Sequence, residues 1–163
     1  MIRIPRRHLA AIEAVLDVAY HGGPVPVRGA EIADRLGLPR RYLEQSLQTL
    51  ARAGILLAQR GPRGGYRLAR ERRRITVGEI VRALGGEDDE GADGGTDGGG
   101  KPANGAAAGT ASALGEAVIL PMARHAEAAL QSHLDGLTIE DLCRQGRERG
   151  VQGVRDEALD FTI

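Results

Sequence analysis

From Gly85 to Ala113 the chain has no Val, Ile, Leu, Met or aromatic residue, and ten of these 29 positions are glycine. A stretch of that kind buries too little apolar surface to offset the entropy of ordering it. The sequence therefore divides into a structured segment over 1–84, a disordered Gly-rich and acidic loop over 85–113, a second structured segment over 114–145 and a flexible tail over 146–163. Any core has to be assembled from the two flanks. At 163 residues the chain is also too short for a β/α barrel or a two-domain dinucleotide enzyme. With four aromatics (Tyr20, Tyr42, Tyr66 and Phe161) and no tryptophan, that core must be aliphatic.

The same division separates charge. The chain carries 22 basic and 22 acidic side chains, yet residues 1–84 hold 16 arginines against seven acids, and residues 85–163 hold six bases against 15 acids. Every base in the first segment is arginine, whose planar, forked guanidinium suits phosphate oxygens and base edges better than ammonium does. A balance of +9 followed by −9 points to a polyanion-binding module joined to a part that does not bind. The single cysteine, Cys143, excludes an intramolecular disulfide and any multi-cysteine zinc or iron–sulfur motif within one chain. The longest uncharged apolar run, Ala117 to Ala123, is far below the roughly 20 residues that span a bilayer. Glu13 and Asp17 interrupt what would be the apolar core of a secretion signal. A soluble cytoplasmic protein without membrane association is expected.

Apolar spacing predicts a first helix from Ile4 to Tyr20, burying Ile12, Val15, Leu16 and Ala19 and ended by Gly22-Gly-Pro24. A short second helix from Ala30 to Leu36 closes at Gly37. Pro39 opens a third, reaching about Ala53, which buries Leu43, Leu47 and Leu50. Its opposite face carries Arg41, Glu44, Gln45, Gln48 and Arg52. Two extended runs, Ile55 to Gln59 and Tyr66 to Ala69, flank Arg60-Gly-Pro-Arg-Gly-Gly65 and so form a hairpin with a basic tip. Thr76 and Glu79 form a capping box before a fourth helix, and Thr138 and Asp141 form another before a short helix containing Leu142 and Cys143. Between them Ile119, Met122, Ala126, Leu130 and Leu134 recur with helical spacing, with Pro121 either starting or kinking that helix.

Three helices followed by a hairpin make a winged helix-turn-helix, so the fold class is mostly α with one small hairpin and a long additional helix. A helix fits the major groove, where Arg40 and Arg41 can meet guanine, Gln45 and Gln48 adenine, and Glu44 the cytosine amine. A basic hairpin bearing Arg60, Arg63 and Arg67 can follow the backbone or enter a narrow minor groove. At these positions the sequence resembles the IscR-type winged-helix regulators, a family that includes nitric-oxide, iron and cysteine-metabolism repressors. The matching strings are Ala30-Glu-Ile-Ala-Asp-Arg-Leu36, Tyr42-Leu-Glu-Gln45, Arg60-Gly-Pro-Arg-Gly-Gly-Tyr66 and Ile75-Thr-Val-Gly-Glu-Ile80.

The resemblance covers residues 1–84 well and 114–145 more loosely. It implies a homodimer that binds a partly palindromic double-stranded DNA operator and regulates transcription, more as repressor than activator. It places Arg41, Tyr42, Glu44 and Gln45 where the family reads the major groove, and Arg60, Gly61, Arg63 and Gly64 on its wing. It places the helix bearing Ile119, Met122, Ala126, Leu130 and Leu134 where the family dimerises. Two departures stand out. Cluster-bearing relatives place three cysteines between the fourth helix and the dimer helix, whereas no cysteine occurs here from Asp88 to Ala117. A cysteine-ligated iron–sulfur cluster is therefore not expected, and no cofactor or metal is assigned, although a site including His8 stays open. The second departure is Arg63, where relatives commonly carry glycine; it should add phosphate affinity without adding much base discrimination.

Other chemistry finds less support. The Arg60–Tyr66 loop lacks the Lys-Ser/Thr ending of a phosphate loop. His125 and His133 are eight apart rather than the four that would bring two ligands to one metal. The acids from Glu87 to Asp97 lack calcium-loop spacing. Cys143 is read as a packing residue rather than a redox switch. No nucleophile, base and orienting group fall together, so no enzyme is expected. The rival reading is a protein-interaction module whose winged helix binds a partner enzyme in place of DNA.

Overall fold

Helix α1 (Arg6–His21) lies at the centre of the architecture, touching α2 (Gly29–Leu36), α3 (Arg40–Arg52), α4 (Val77–Leu84), α6 (Ile139–Glu148) and the second strand of the hairpin. The computed structural model describes residues 4–85, 112–151 and 153. The loop expected over 85–113 thus falls almost wholly outside the described residues, as does most of the tail. The face that α1 buries is Ala10, Ala11, Ala14, Val15, Val18 and Ala19, with Tyr20 at its end. Ile12 and Leu16, expected inside, are only partly buried. Small side chains decide this. Alanines let several helices approach α1 at once, while the larger Ile12 and Leu16 rim the contact.

Helices α2 and α3 are joined by a tight turn at Gly37-Leu38-Pro39. Asp17 on α1 accepts two hydrogen bonds from Arg35, both at 2.8 Å, and so fastens α2 to α1. The Arg35 guanidinium is held above its ordinary pKa by that carboxylate. Helix α3 buries Leu43, Leu47 and Leu50 together with Ser46 and Thr49. Strands β1 (Leu56–Gln59) and β2 (Gly65–Leu68) pair antiparallel, Leu56 opposite Leu68 and Gln59 opposite Gly65.

Both expected capping boxes form. The Thr76 hydroxyl accepts from the Glu79 amide and the Glu79 carboxylate accepts from the Thr76 amide, and Thr138 and Asp141 do the same for α6. The two capping threonines also face each other across an antiparallel bridge, with the Val77 amide donating to Leu137 at 2.8 Å and the Ile139 amide to Ile75 at 2.9 Å.

This bridge brings the second segment into the first. Ile139 and Cys143 are fully buried in the same core as Val15, Ile32 and Leu50, and Tyr20 donates to the Cys143 carbonyl at 2.7 Å. Helix α6 continues to Glu148, into the stretch from residue 146 expected to be a flexible tail. The last described residue, Gly153, is buried beside Tyr20. Helix α5 (Leu120–Asp135) follows a π-type turn over Gly115–Ile119. Pro121 stands in the first turn of α5, the first of the two expected positions, and the helical run around it begins upstream at Ala113. The wider turn before it accommodates the missing amide donor. No helix among the described residues is long and apolar enough to cross a membrane.

Candidate nucleic-acid interface

The amphipathic pattern of α3 leaves Arg40, Arg41, Glu44, Gln45, Gln48 and Arg52 exposed along one side, while Tyr42 is half-buried. Pro39 supplies the N-cap and no side chain caps the first turn, so that end of the helix keeps amides for an outside acceptor. Arg40 lies 3.9 Å from Asp34, but both side chains are about 70 % exposed, and a pair so solvated constrains neither partner. Gln48 donates weakly to Glu44 at 3.4 Å, one turn apart, which leaves its carbonyl oxygen as an acceptor.

The hairpin tip is shaped by glycine. Gly61 has φ +107°, a conformation that side-chain-bearing residues rarely adopt, and its carbonyl accepts from Gly64 at 2.9 Å. A Cβ on Gly65 would run into the Val27 carbonyl. That close approach exists because Val27 and Tyr66 exchange two backbone hydrogen bonds, at 2.9 and 2.7 Å, making the residues before α2 a third edge to the hairpin. Apolar spacing alone does not point to this bridge. The available signal was Val25-Pro26-Val27, a β-branched run whose proline suits an edge.

A cleft of about 770 Å³ opens between α3 and the hairpin. Of the residues expected to meet DNA, it brings together Arg40, Glu44 and Gln48 from α3 with Arg60, Gly61 and Gly64 from the wing. Arg41, Tyr42, Gln45 and Arg63 do not line it; Arg41 and Gln45 stand exposed on α3 and Arg63 at the tip. Arg28, Arg52 and Tyr66 also line it, and Arg28 is a charged member that helical spacing and the hairpin motif do not point to. Burial first, and the Glu44 carboxylate second, push the Tyr66 phenol up, so it remains neutral. Arg67 is exposed as expected, yet it also has a partner within the chain. Its guanidinium donates to the Pro24 carbonyl.

Ile119 at the end of the π-type turn and Met122 and Leu130 on α5 are 44, 57 and 40 % exposed; Leu114 and Val118 upstream and Ala126 are exposed with them. Leu134 differs, being 6 % exposed within the chain's own fold, where α5 returns to α4. That junction is held by Arg82, which donates twice to Asp135 at 2.6 and 2.8 Å, and by Gln131, which donates to the Gly78 carbonyl at 3.3 Å.

Three packed helices, the third with an exposed polar face, and a basic hairpin beside it define a winged helix-turn-helix protein. The model of the Rrf2 family, iron-dependent transcriptional regulators, matches residues 4–145, and the chain belongs to that family. It is 45 % identical over 74 residues to the transcriptional regulator IscR of Vibrio atlanticus, covering 45 % of this chain and 43 % of that one. With IscR of Vibrio cholerae it shares 39 % identity over 83 residues, 51 % of this chain and 48 % of that one. These matches span about half the length of the curated relatives. Among solved structures, T. potens IscR superposes with a TM-score of 0.67 at 29 % identity, covering 91 % of this chain and 90 % of the other. CymR, the global cysteine regulator of B. subtilis, gives 0.59 at 26 % identity, covering 89 % and 98 %.

The family description names iron, so the donor set matters. Cys143 is the only thiol in the chain, it is fully buried in α6, and burial pushes its pKa up, all of which disfavour a metal-binding thiolate. Among the described residues no three His, Cys, Asp or Glu side chains are grouped to hold a metal. These residues do not fit a thiolate-held iron–sulfur cluster.

Proposed function

We propose that this protein is a cytoplasmic regulator, not an enzyme, that binds double-stranded DNA in a sequence-specific way as a homodimer and represses transcription without a cysteine-ligated cluster. The observation that carries this reading is the pairing of two surfaces: the exposed polar face of α3 and the basic wing, six of whose expected DNA contacts border one cleft. The names of the IscR and CymR relatives support it. Arg41 at the front of α3 suits the paired acceptors of guanine, Gln45 suits adenine, and the Glu44 carboxylate suits the cytosine amine. The exposed Arg60 and Arg63 suit phosphate or a narrow minor groove, where potential is most negative. Exposed Ile119 just before α5, and Met122 and Leu130 on it, support self-association, since a stretch of that length rarely stays uncovered in a monomer. The lone buried thiol supports cluster-free action.

Fluorescence anisotropy with genomic duplex fragments, titrated across salt, tests the reading. A dimer placing two recognition helices and two wings on DNA neutralises on the order of 8 phosphates, so log affinity should fall against log salt with a slope of about −7. Indifference to every duplex in dilute buffer would overturn it and leave the partner-protein reading. Iron analysis and an optical spectrum of anaerobically purified protein test the cofactor. Colourless, iron-free protein that still binds its operator is expected, and stoichiometric iron with visible absorbance would reverse that part.

A further inference from the structure

Arg28 lines the cleft and would be taken for one more phosphate contact, but its geometry gives it a different task. It is the N-cap residue of α2, directly after Val27, and its guanidinium donates to the carbonyl of Pro62 at the wing tip at 3.2 Å, across 34 residues of chain. Arg67 on β2 donates in the opposite direction, to Pro24 just ahead of Val27. Between these two lies the Val27–Tyr66 bridge. The wing is thus tied to the segment entering α2 at three successive points, and α2 leads by a three-residue turn into α3. Resting on the DNA-binding reading above, we propose that Arg28 and Arg67 are positioning residues: they fix the offset between the wing tip and α3, so that Arg60 and Arg63 meet the backbone in register with the groove-reading face.

The physical reason lies in the tip itself. Arg60-Gly-Pro-Arg-Gly-Gly65 packs no apolar side chain, and Gly61, Pro62 and Arg63 are all exposed, so burial does little to hold it. A two-stranded hairpin alone is marginal in water. Arginine's fork suits this use, because one nitrogen can serve a carbonyl while the charge still faces the polyanion.

The test is a double-mutant cycle on the full chain. If Arg28 works through the tip, Arg28→Ala weakens operator binding and makes the salt slope shallower by more than the roughly 0.9 of a single lost contact per protomer. In an Arg60→Ala, Arg63→Ala background, the same Arg28→Ala change then has no further effect. Additive losses, with about 0.9 per protomer removed in both backgrounds, would make Arg28 an ordinary phosphate contact and overturn the proposal. A second measurement needs no DNA. Hydrogen exchange at the Gly64 amide, which donates to Gly61, should quicken in Arg28→Ala and in Arg67→Ala while α1 and α3 keep their protection. Unchanged exchange at the tip would overturn the clamp even if the wild type binds duplex tightly. Absent DNA binding with altered exchange would sink the proposed function and leave the clamp standing.

Discussion

Arginine takes two kinds of position in this molecule. Arg35, Arg67 and Arg82 end on Asp17, the Pro24 carbonyl and Asp135, and their work is to hold elements together. Arg41 on α3 and Arg60 and Arg63 on the wing stand exposed. Among the exposed group, location sets the expected role. Arg41→Ala should cost about 1–3 kcal/mol on the cognate operator and relax preference at one base position. Arg63→Ala should weaken cognate and random duplexes alike and flatten the salt dependence. Anisotropy on both duplexes checks this, and equal behaviour of the two variants would dissolve the division of labour. The sequence carried the exposed group well, because helical spacing alone places Arg41, Glu44, Gln45 and Gln48 opposite Leu43, Leu47 and Leu50. It could not reveal that Arg28 and Arg67, though exposed, bond to backbone carbonyls of the chain itself. Their acceptors are proline carbonyls brought close only once Val27 pairs with Tyr66.

At the scale of elements, the capping boxes were the most legible features, since each needs only a threonine and an acid three residues on. Both acids report their roles electrostatically. For Glu79, burial acts to raise the pKa, but the Thr76 amide and the Arg70 guanidinium outweigh it and hold the carboxyl below its ordinary value. The Thr138 hydroxyl and amide lower that of Asp141. A carboxylate depressed in the folded state contributes stability that is complete above its unfolded pKa and lost as pH falls through the folded one. The carboxylate half of each cap should therefore be complete at neutral pH and be lost only in acid below the ordinary carboxylate range, while the hydroxyl half persists. Thr76→Ala should cost about 1 kcal/mol at pH 7. That difference should shrink in acid, which denaturant melts at two pH values would show. An undiminished cost at low pH would mean the carboxylate takes no part. The face of α1 was less legible than the caps. Apolar spacing favours the largest side chains, and here five elements crowd one helix, so alanine was selected for the inside and Ile12 and Leu16 were pushed to the rim.

For the whole molecule, the charge split proved real as composition but not as a division of structure. Helix α6 belongs to the acidic half, yet Ile139 and Cys143 complete the core built by α1 and α3. Periodicity assigns residues to a helix face; it does not say which neighbour that face meets. The same limit applies to α5, where helical spacing predicts one stripe and a single surface. Leu134 is used within the chain, against α4, while Ile119, Met122 and Leu130 remain outside. The Arg82–Asp135 pair and the Gln131–Gly78 hydrogen bond lock the end of α5 to α4. Any copy docked on the exposed part therefore sets the distance between two recognition helices. Met122→Asp separates these roles. An exposed substitution in the lone chain should change its melting by less than about 0.5 kcal/mol, while a carboxylate facing a second apolar helix should abolish dimers in sedimentation. Losing the second half-site removes the gain from linked binding, about 100-fold or more in operator affinity. The salt slope should drop to about half, near −3.5, because one protomer's phosphates remain. Sedimentation as a dimer with the full slope retained would place the self-association surface elsewhere than α5.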